Sequence, residues 1–302
     1  MRKSALIKLE DRALISLQGS DARPFLQGLV SNDVTKVSWQ RPIYSALLTP
    51  QGKYLFDFFI LQPREDNPDL LWLETGSSEA SALLKRLKIF KLRSQIDIHL
   101  VEPTCHHFVL LDFPENLEIE EPRAQLFNDP RHPNLGKRLI LDSGQNLPTK
   151  ISEFETRDPD LYEVRRIQLA VPKQGLDLIP EKTTLLEAGF EELNGLDWDK
   201  GCYMGQEVTA RTKYRGLVKR RLMPLRCEGS AVKPETDLYQ GQKKVGTVTS
   251  VANDWVLASL TVKSAIAVFQ DGEGIQADNS DIRLVLHPAV WQQFHLESSQ
   301  ND

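Results

Sequence analysis

The run Lys200-Gly201-Cys202-Tyr203-Met204-Gly205-Gln206-Glu207 sets a thiol between two glycines, two residues from an ammonium, ahead of a helix expected from Gln206 to about Tyr214. Glycines let backbone N–H groups approach a ligand closely, and a helix N-terminus carries partial positive charge. A thiol in such surroundings ionises more readily than a free cysteine, so Cys202 is expected to be partly thiolate near neutral pH, with Lys200 beside it. Most free cysteines are small buried hydrophobes, and spacing alone leaves both readings open for Cys202. Cys105 and Cys227 sit in strand-like sequence without a neighbouring glycine or helix start, and are expected in the core.

Three widely spaced cysteines without a Cys-x-x-Cys pair exclude a disulfide framework and a self-contained zinc site. No metal site is expected, and a reducing cytoplasm is the expected setting. The chain of 302 residues has 40% hydrophobic and 26% charged residues, and no apolar run approaches the roughly 20 residues that cross a bilayer. Its first residues alternate (Ala5, Ile7, Leu9) without the blocks of a targeting segment. A net charge of -5 argues against direct nucleic-acid binding. Locally, Lys200, Arg211, Lys213, Arg215, Lys219, Arg220 and Arg221 face a single acid, Glu207; this is either a solvated face or a cradle for an anion.

These residues need a scaffold. Ala13 to Leu17 alternates as a half-buried strand and runs into Gly19-Ser20-Asp21, a turn and helix cap. The helix that follows, with Pro24 in its first turn, is expected to end at Ser31-Asn32-Asp33. Tyr44 to Leu48, the turn Thr49-Pro50-Gln51-Gly52 and Tyr54 to Leu61 read as a hairpin. A strand at Leu70 to Leu73, a helix from Glu79 to Leu92, and strands at Ile96 to Val101 and Phe108 to Leu111 follow. Apolar spacing over Asp160 to Val171 predicts a helix. After Gly216, short strands at Leu217 to Cys227, Lys244 to Val251, Trp255 to Val262 and Ile282 to Leu286 suggest a small β-barrel or sandwich, and Glu297 to Asp302 a frayed tail. The fold class is α+β.

With Val208, Ala210 and Arg211, the cysteine segment resembles the Lys-Gly-Cys-Tyr-x-Gly-Gln-Glu signature of the YgfZ family of folate-binding iron–sulfur cluster assembly proteins, relatives of the glycine-cleavage aminomethyltransferase. Further matches run in family order: Gly19-x-Asp21-Ala22, Phe25-Leu26-Gln27-Gly28, Asn32-Asp33, Thr49-Pro50-Gln51-Gly52-Lys53 with Asp57, Asp129-Pro130-Arg131, and Arg166-Ile167 with Pro172 and Gly175. The resemblance spans nearly the whole chain. It implies an aminomethyltransferase-like multi-domain fold, with a folate-binding region over residues 1–216 and a C-terminal β-barrel over 217–302. It further implies tetrahydrofolate as ligand, iron–sulfur assembly factors or client enzymes as partners, and indirect support of tRNA thiomodification. A folate-dependent one-carbon transferase is the alternative. Two departures stand out. Ala170 replaces the usual glycine before Pro172, and Asp129-Pro130-Arg131 stands where the transferases carry a Gly-Tyr-Thr-Gly-Glu stretch.

A reduced pterin wants a carboxylate or amide and an aromatic wall, and its glutamate tail wants cations. Asp57, set among Phe56, Phe58 and Phe59, must face water or be held by partners. Arg131 and Arg166 are candidates for the tail, and Trp198 and Tyr203 for the wall, although arginines on helix edges are commonly solvated and aromatics beside turns commonly core. Gln206 and Glu207 occupy the first helical turn, which favours an acid whatever the function. The resemblance puts Lys200 and Cys202 at the family's functionally sensitive positions.

Overall fold

The alternating start of the chain forms β1 (Ala5–Leu9) and the next alternation β2 (Arg12–Gln18), yet the two enter different sheets. The computed structural model describes residues 3–102, 105–114, 116–119, 124–228, 232–271, 275–277 and 283–286. Two compact units emerge, Met1–Tyr162 with Leu193–Gln206 and Glu163–Glu192 with Glu207–Asp302.

In the first unit, β2 leads into α1 (Ala22–Gln27), the hairpin of β3 (Ile43–Leu48) and β4 (Tyr54–Leu61), β5 (Leu70–Gly76), α2 (Ser77–Lys91) and β6 (Asp97–Leu100). The strands form one sheet in the order β3-β4-β5-β2-β6. The hairpin turn is as expected, with Gly52 at φ 72. Period-two alternation divides the faces. Ile15, Leu17, Phe58, Ile60, Leu71 and Leu73 form a core with Leu26, Leu83 and Leu87 of the two helices. The opposite face carries Tyr44, Asp57, Phe59 and Glu74.

That second face meets another sheet, β10-β1-β7-β9-β8, built from β1, β7 (His106–Leu111), β8 (Ala124–Asn128), β9 (Lys137–Leu141) and β10 (Glu155–Thr156), with the short helix α3 (Thr149–Ser152) between β9 and β10. Leu6, Leu110, Leu139 and Leu141 pack outward with Ile151, while Phe127 and Arg138 point inward. β8, β9 and β10 escaped the sequence reading.

The helix expected to reach Ser31 ends at Gln27, because the following carbonyls turn toward a side-chain cation described below. The helix expected to run to Val171, α4 (Asp160–Gln168), bridges the two units along the chain. It closes with Val171 N–H donating to Arg166 O at 2.8 Å and Ala170 N–H to Ile167 O at 2.9 Å, the pattern of a left-handed cap. Ala170 sits there at φ 53, the conformation glycine adopts freely, and its Cβ costs roughly 1 kcal/mol. The departure noted in sequence is therefore a local strain.

The second unit continues with α5 (Gln206–Tyr214) and a closed barrel in the order β11-β14-β13-β12-β15-β16. Its strands are β11 (Arg220–Glu228), β12 (Asp237–Gln240), β13 (Lys243–Ala252), β14 (Trp255–Thr261), β15 (Ile275–Ala277) and β16 (Arg283–Leu286), with α6 (Val262–Asp271) after β14. Pairing of β16 with β11 closes it, leaving no free edge. The short β12 and β15 and helix α6 were not foreseen. The tail at 297–302 lies outside the described residues.

Candidate functional site

Residues 194–205 form a loop stitched along the segment after α1. Ser31 Oγ donates to Gly195 O at 2.6 Å, Asn32 Nδ2 to Asn194 O at 2.8 Å, and Asp197 N–H to Ser31 O at 3.1 Å. Asp197 in turn accepts from Lys36 Nζ. At the end of this seam Lys200 is buried, its ammonium donating to Gln27 O at 3.0 Å, Val30 O at 2.6 Å and Asn32 O at 2.9 Å. Those are orphan carbonyls of the kind a helix C-terminus leaves, and a cation there also meets the negative end of the dipole. Lys200 is thus a positioning residue whose charge is directed at α1.

Tyr203 covers it, with Lys200 Nζ 5.0 Å from the ring centroid; burial pushes the Tyr203 hydroxyl up to about 12. The ring is buried. Gly205, at φ 83, lies against the hairpin turn so closely that a Cβ would come 2.6 Å from Thr49 O. Between the anchors Lys200 and Tyr203, Cys202 is exposed and in no disulfide. Three separate sequence segments, Gln27–Asn32, the Thr49–Gly52 turn and the cysteine run, therefore converge to hold one thiol at the surface. Trp198 is half-buried in the bend before Lys200, Gln206 is half-buried, and Glu207 is exposed at the first turn of α5.

Burial pulls the Lys200 ammonium down to about 8, against the opposing push of Asp33 and Asp197. Below that value both the folded and the unfolded chain carry the proton, and the contribution is flat. Between about pH 8 and the ordinary value of 10.5 the unfolded chain holds a proton the folded chain lacks, so this contribution to stability rises with pH. Subtracting the pH profile of Lys200→Met from that of the parent isolates this slope. At pH 7 the variant, which leaves three carbonyls without their donor, is expected to lose about 2–4 kcal/mol in denaturant unfolding. A loss below about 0.5 kcal/mol would remove the positioning role.

The other cysteines are half-buried, which corrects the expectation of full core residence. Cys105, just before β7, is pushed up to about 11 by burial and by Asp142, whose carboxylate lies 3.7 Å away. Cys227 on β11 is likewise raised by burial and by Asp254. Among the described residues no group of three or more His, Cys, Asp or Glu is placed to hold a metal ion.

Asp57 does not face outward. Its carboxylate is buried and accepts from Tyr44 Oη at 2.9 Å and Tyr54 Oη at 2.7 Å; burial raises it, while the two hydroxyls pull it back. Arg131 is also buried. It donates to Asp129 at 2.9 and 2.7 Å and to Tyr162 Oη at 2.8 Å, and its guanidinium stacks 4.8 Å from the Phe59 centroid. Arg166 belongs to the second unit, where it donates to Asp177 at 2.9 Å, Glu163 at 2.7 Å and Ser250 at 3.0 Å, tying residues 163–177 to β13. With Asp57 capped by two tyrosines and both arginines committed to internal acids, these three side chains do not offer a pterin and its tail a carboxylate and free cations. The basic run at 200–221 is likewise dispersed: Lys200 is buried, Lys213 pairs with Glu191 and Arg221 with Glu192, and Arg220 donates to Ser259. Arg211, Arg215 and Lys219 are exposed.

A network that sequence reasoning missed lies between the two sheets of the first unit. Glu74, wholly buried, accepts from Arg12 Nε at 3.0 Å and Arg138 at 2.5 Å, with His107 Nδ1 at 3.3 Å. Burial opposes its ionisation, but Arg138 and Arg12 hold it well below the usual carboxylate range. No sequence signal marks Glu74, since the strand expected there stops at Leu73.

Comparison with known proteins adds to this geometry. The family model described as the CAF17 C-terminal β-barrel domain matches residues 219–294, which contain the barrel strands from Arg220 onward. The iron–sulfur cluster assembly factor IBA57 homolog, mitochondrial, of Neurospora crassa is 33% identical over 245 residues, covering 76% of this chain and 55% of that protein. The homolog of Dictyostelium discoideum is 31% identical, covering 74% and 62%. The mouse IBA57 is 32% identical, covering 74% and 66%. The chain thus spans between about half and two thirds of the length of these relatives. Their mitochondrial designation overturns the expected cytoplasmic setting. Among solved structures, the glycine cleavage system aminomethyltransferase T of Bartonella henselae superposes with a TM-score of 0.75 over 96% of this chain and 86% of its own, at 16% identity, a likeness of fold alone. The chain has an aminomethyltransferase-like fold with a C-terminal β-barrel, and over three quarters of its length it is similar to the IBA57 iron–sulfur cluster assembly factors.

Proposed function

We propose that this protein is an assembly factor for iron–sulfur clusters and that Cys202 is the group that meets the cargo. The observation that carries the proposal is the exposed thiol held between two buried anchors, Lys200 and Tyr203. Thiolates are the ordinary ligands of iron–sulfur clusters, and one chain offering one thiol supplies a single ligand. The cluster is therefore substrate, shared with a partner that contributes the remaining ligands, either another assembly factor or a client enzyme. Similarity to the IBA57 proteins supports the same reading. Support of tRNA thiomodification follows indirectly wherever the modifying enzyme depends on a cluster.

Tetrahydrofolate is the second part of the proposal. Its support is the YgfZ resemblance and the aminomethyltransferase-like fold, and not the placement of Asp57, Arg131 or Arg166. No step of cluster handling is routed through it. A one-carbon transferase needs an acid open to an amine, and Asp57 is closed by Tyr44 and Tyr54. Removing the protein from cells is expected to lower the activities of a subset of iron–sulfur enzymes under oxidative stress, while unchanged activities would overturn the assembly role. Anaerobic calorimetry with tetrahydrofolate on the parent and on Cys202→Ala separates the two parts. One-to-one binding by both places folate in a site of its own, and none by the parent removes folate from the proposal.

A further inference from the structure

Helical spacing gives α2 two unlike sides. Ala80, Leu83 and Leu87 are buried toward the core, and on the other side Ser81, Ala82, Lys85, Lys88 and Ile89 are exposed. The end of the helix and the turn after it, Lys85 to Arg93, hold the cations Lys85, Arg86, Lys88, Lys91 and Arg93 and no acid. Among the described residues none of these cations enters an ion pair, and Arg86 lies 5.4 Å from the Phe90 centroid. In a chain of net charge -5 this is a local reversal of sign.

Two aliphatic side chains stand among these charges. Ile89 is 58% exposed and Leu92 88%, the highest values for large aliphatic side chains among the described residues. Leu92 is also held where its own backbone disfavours it. Its φ is 43 and its ψ -108, and Ser94 N–H donates to Lys91 O at 2.8 Å. This is a type II′ turn with leucine at the position that glycine ordinarily fills. Glycine there would relieve the turn and leave less apolar surface in water, so neither packing nor local geometry accounts for the leucine. A surface that takes its side chain out of water offsets both costs.

We propose that the end of α2 is a docking surface for an anionic lipid bilayer, with Ile89 and Leu92 entering the acyl boundary and Lys85, Lys88 and Arg93 meeting headgroup phosphates. Composition favours lipid over an acidic protein. The centres of protein interfaces are poor in lysine and rich in tyrosine, tryptophan and arginine, whereas this patch sets three lysines around two aliphatic tips. The acidity of the rest of the chain is repelled by such a bilayer, which turns this end toward it. The patch uses no residue of the Cys202 loop and stands independently of cluster handling.

The full chain is sedimented with phosphatidylcholine vesicles that contain either no phosphatidylglycerol or about 30% of it. Binding to the anionic vesicles is expected to be at least about tenfold stronger than to the neutral ones, and to weaken as salt rises from about 0.05 to about 0.5 M. Lys85→Glu combined with Lys88→Glu is expected to weaken it at least about tenfold. Leu92→Gly is expected to weaken it about threefold or more without lowering the unfolding midpoint, a pairing that loss of fold cannot produce. Polyglutamate, standing in for an acidic protein, is expected to bind more weakly than the anionic vesicles and to be indifferent to Leu92→Gly. No binding to anionic vesicles, equal binding to neutral ones, vesicle binding indifferent to Leu92→Gly or to the lysine reversal, or polyglutamate bound as tightly as the anionic vesicles overturns the lipid surface.

Discussion

Glu74→Gln is expected to destabilise the first unit by about 3–5 kcal/mol, because it leaves the buried guanidinium of Arg138 and the partly buried one of Arg12 without their shared anion. The exchange conserves shape, so packing is not the cause of the loss. Both arginines remain in a layer walled by Phe59, whose ring lies 5.3 Å from the Arg138 guanidinium. A double variant with Arg138→Met should recover part of the loss, since removing both partners costs less than stranding one. Denaturant unfolding of the four proteins of this cycle gives the coupling directly. Acid offers a second readout. A carboxyl held well below its ordinary range stabilises the fold at neutral pH, and this contribution is lost progressively as pH falls from the ordinary carboxylate value to the depressed one. Glu74→Gln should therefore flatten part of the acid limb of the parent profile. A loss under about 1 kcal/mol would mean that the network contributes little.

Cys202→Ser is expected to leave stability within about 0.5 kcal/mol of the parent and to abolish the reactivity of the native protein toward a thiol-specific disulfide reagent. Cys202 is exposed, whereas Cys105 and Cys227 are half-buried and shifted upward by burial and by neighbouring carboxylates. Reaction rate follows thiolate character and access together, so a single fast thiol is expected, with the other two reacting only as the chain opens. A fast phase that survives in Cys202→Ser would place the accessible thiol elsewhere. The anchored loop adds a contrast. Lys200→Met removes the carbonyl contacts that fix the preceding turn, and should alter the fast rate without removing the phase.

Much of the scaffold could be read from periodicity. The Tyr44 to Leu61 hairpin, the helix over 79–92 and the long barrel strands announced themselves through alternation, helical spacing and a glycine where the turn needs one. The barrel's β12 and β15 did not, because so few residues leave little alternation to count, whereas the equally short β16 was foreseen at Ile282 to Leu286. The helix after Asp21 stopped early because its end is set by Lys200, more than 160 residues away in sequence. Lys200 itself was legible as important and illegible as to why: composition suggested an ammonium for a neighbouring thiol, and the fold spends it on three carbonyls. Asp57 was marked as an acid that water or partners must satisfy, and the partners, Tyr44 and Tyr54, lie across and along the hairpin. Glu74 had no such mark, since its cations come from β2 and β9 and nothing local foretells them.

The proposed meeting of the surface thiol Cys202 with a shared cluster is tested most directly in a strain lacking this protein. Iron–sulfur enzyme activities are assayed after complementation with the parent, with Cys202→Ser and with Cys105→Ser, each shown to be folded and equally abundant. The account predicts that the parent and Cys105→Ser restore activity, while Cys202→Ser restores less than about a tenth of it. Full restoration by Cys202→Ser would contradict the account.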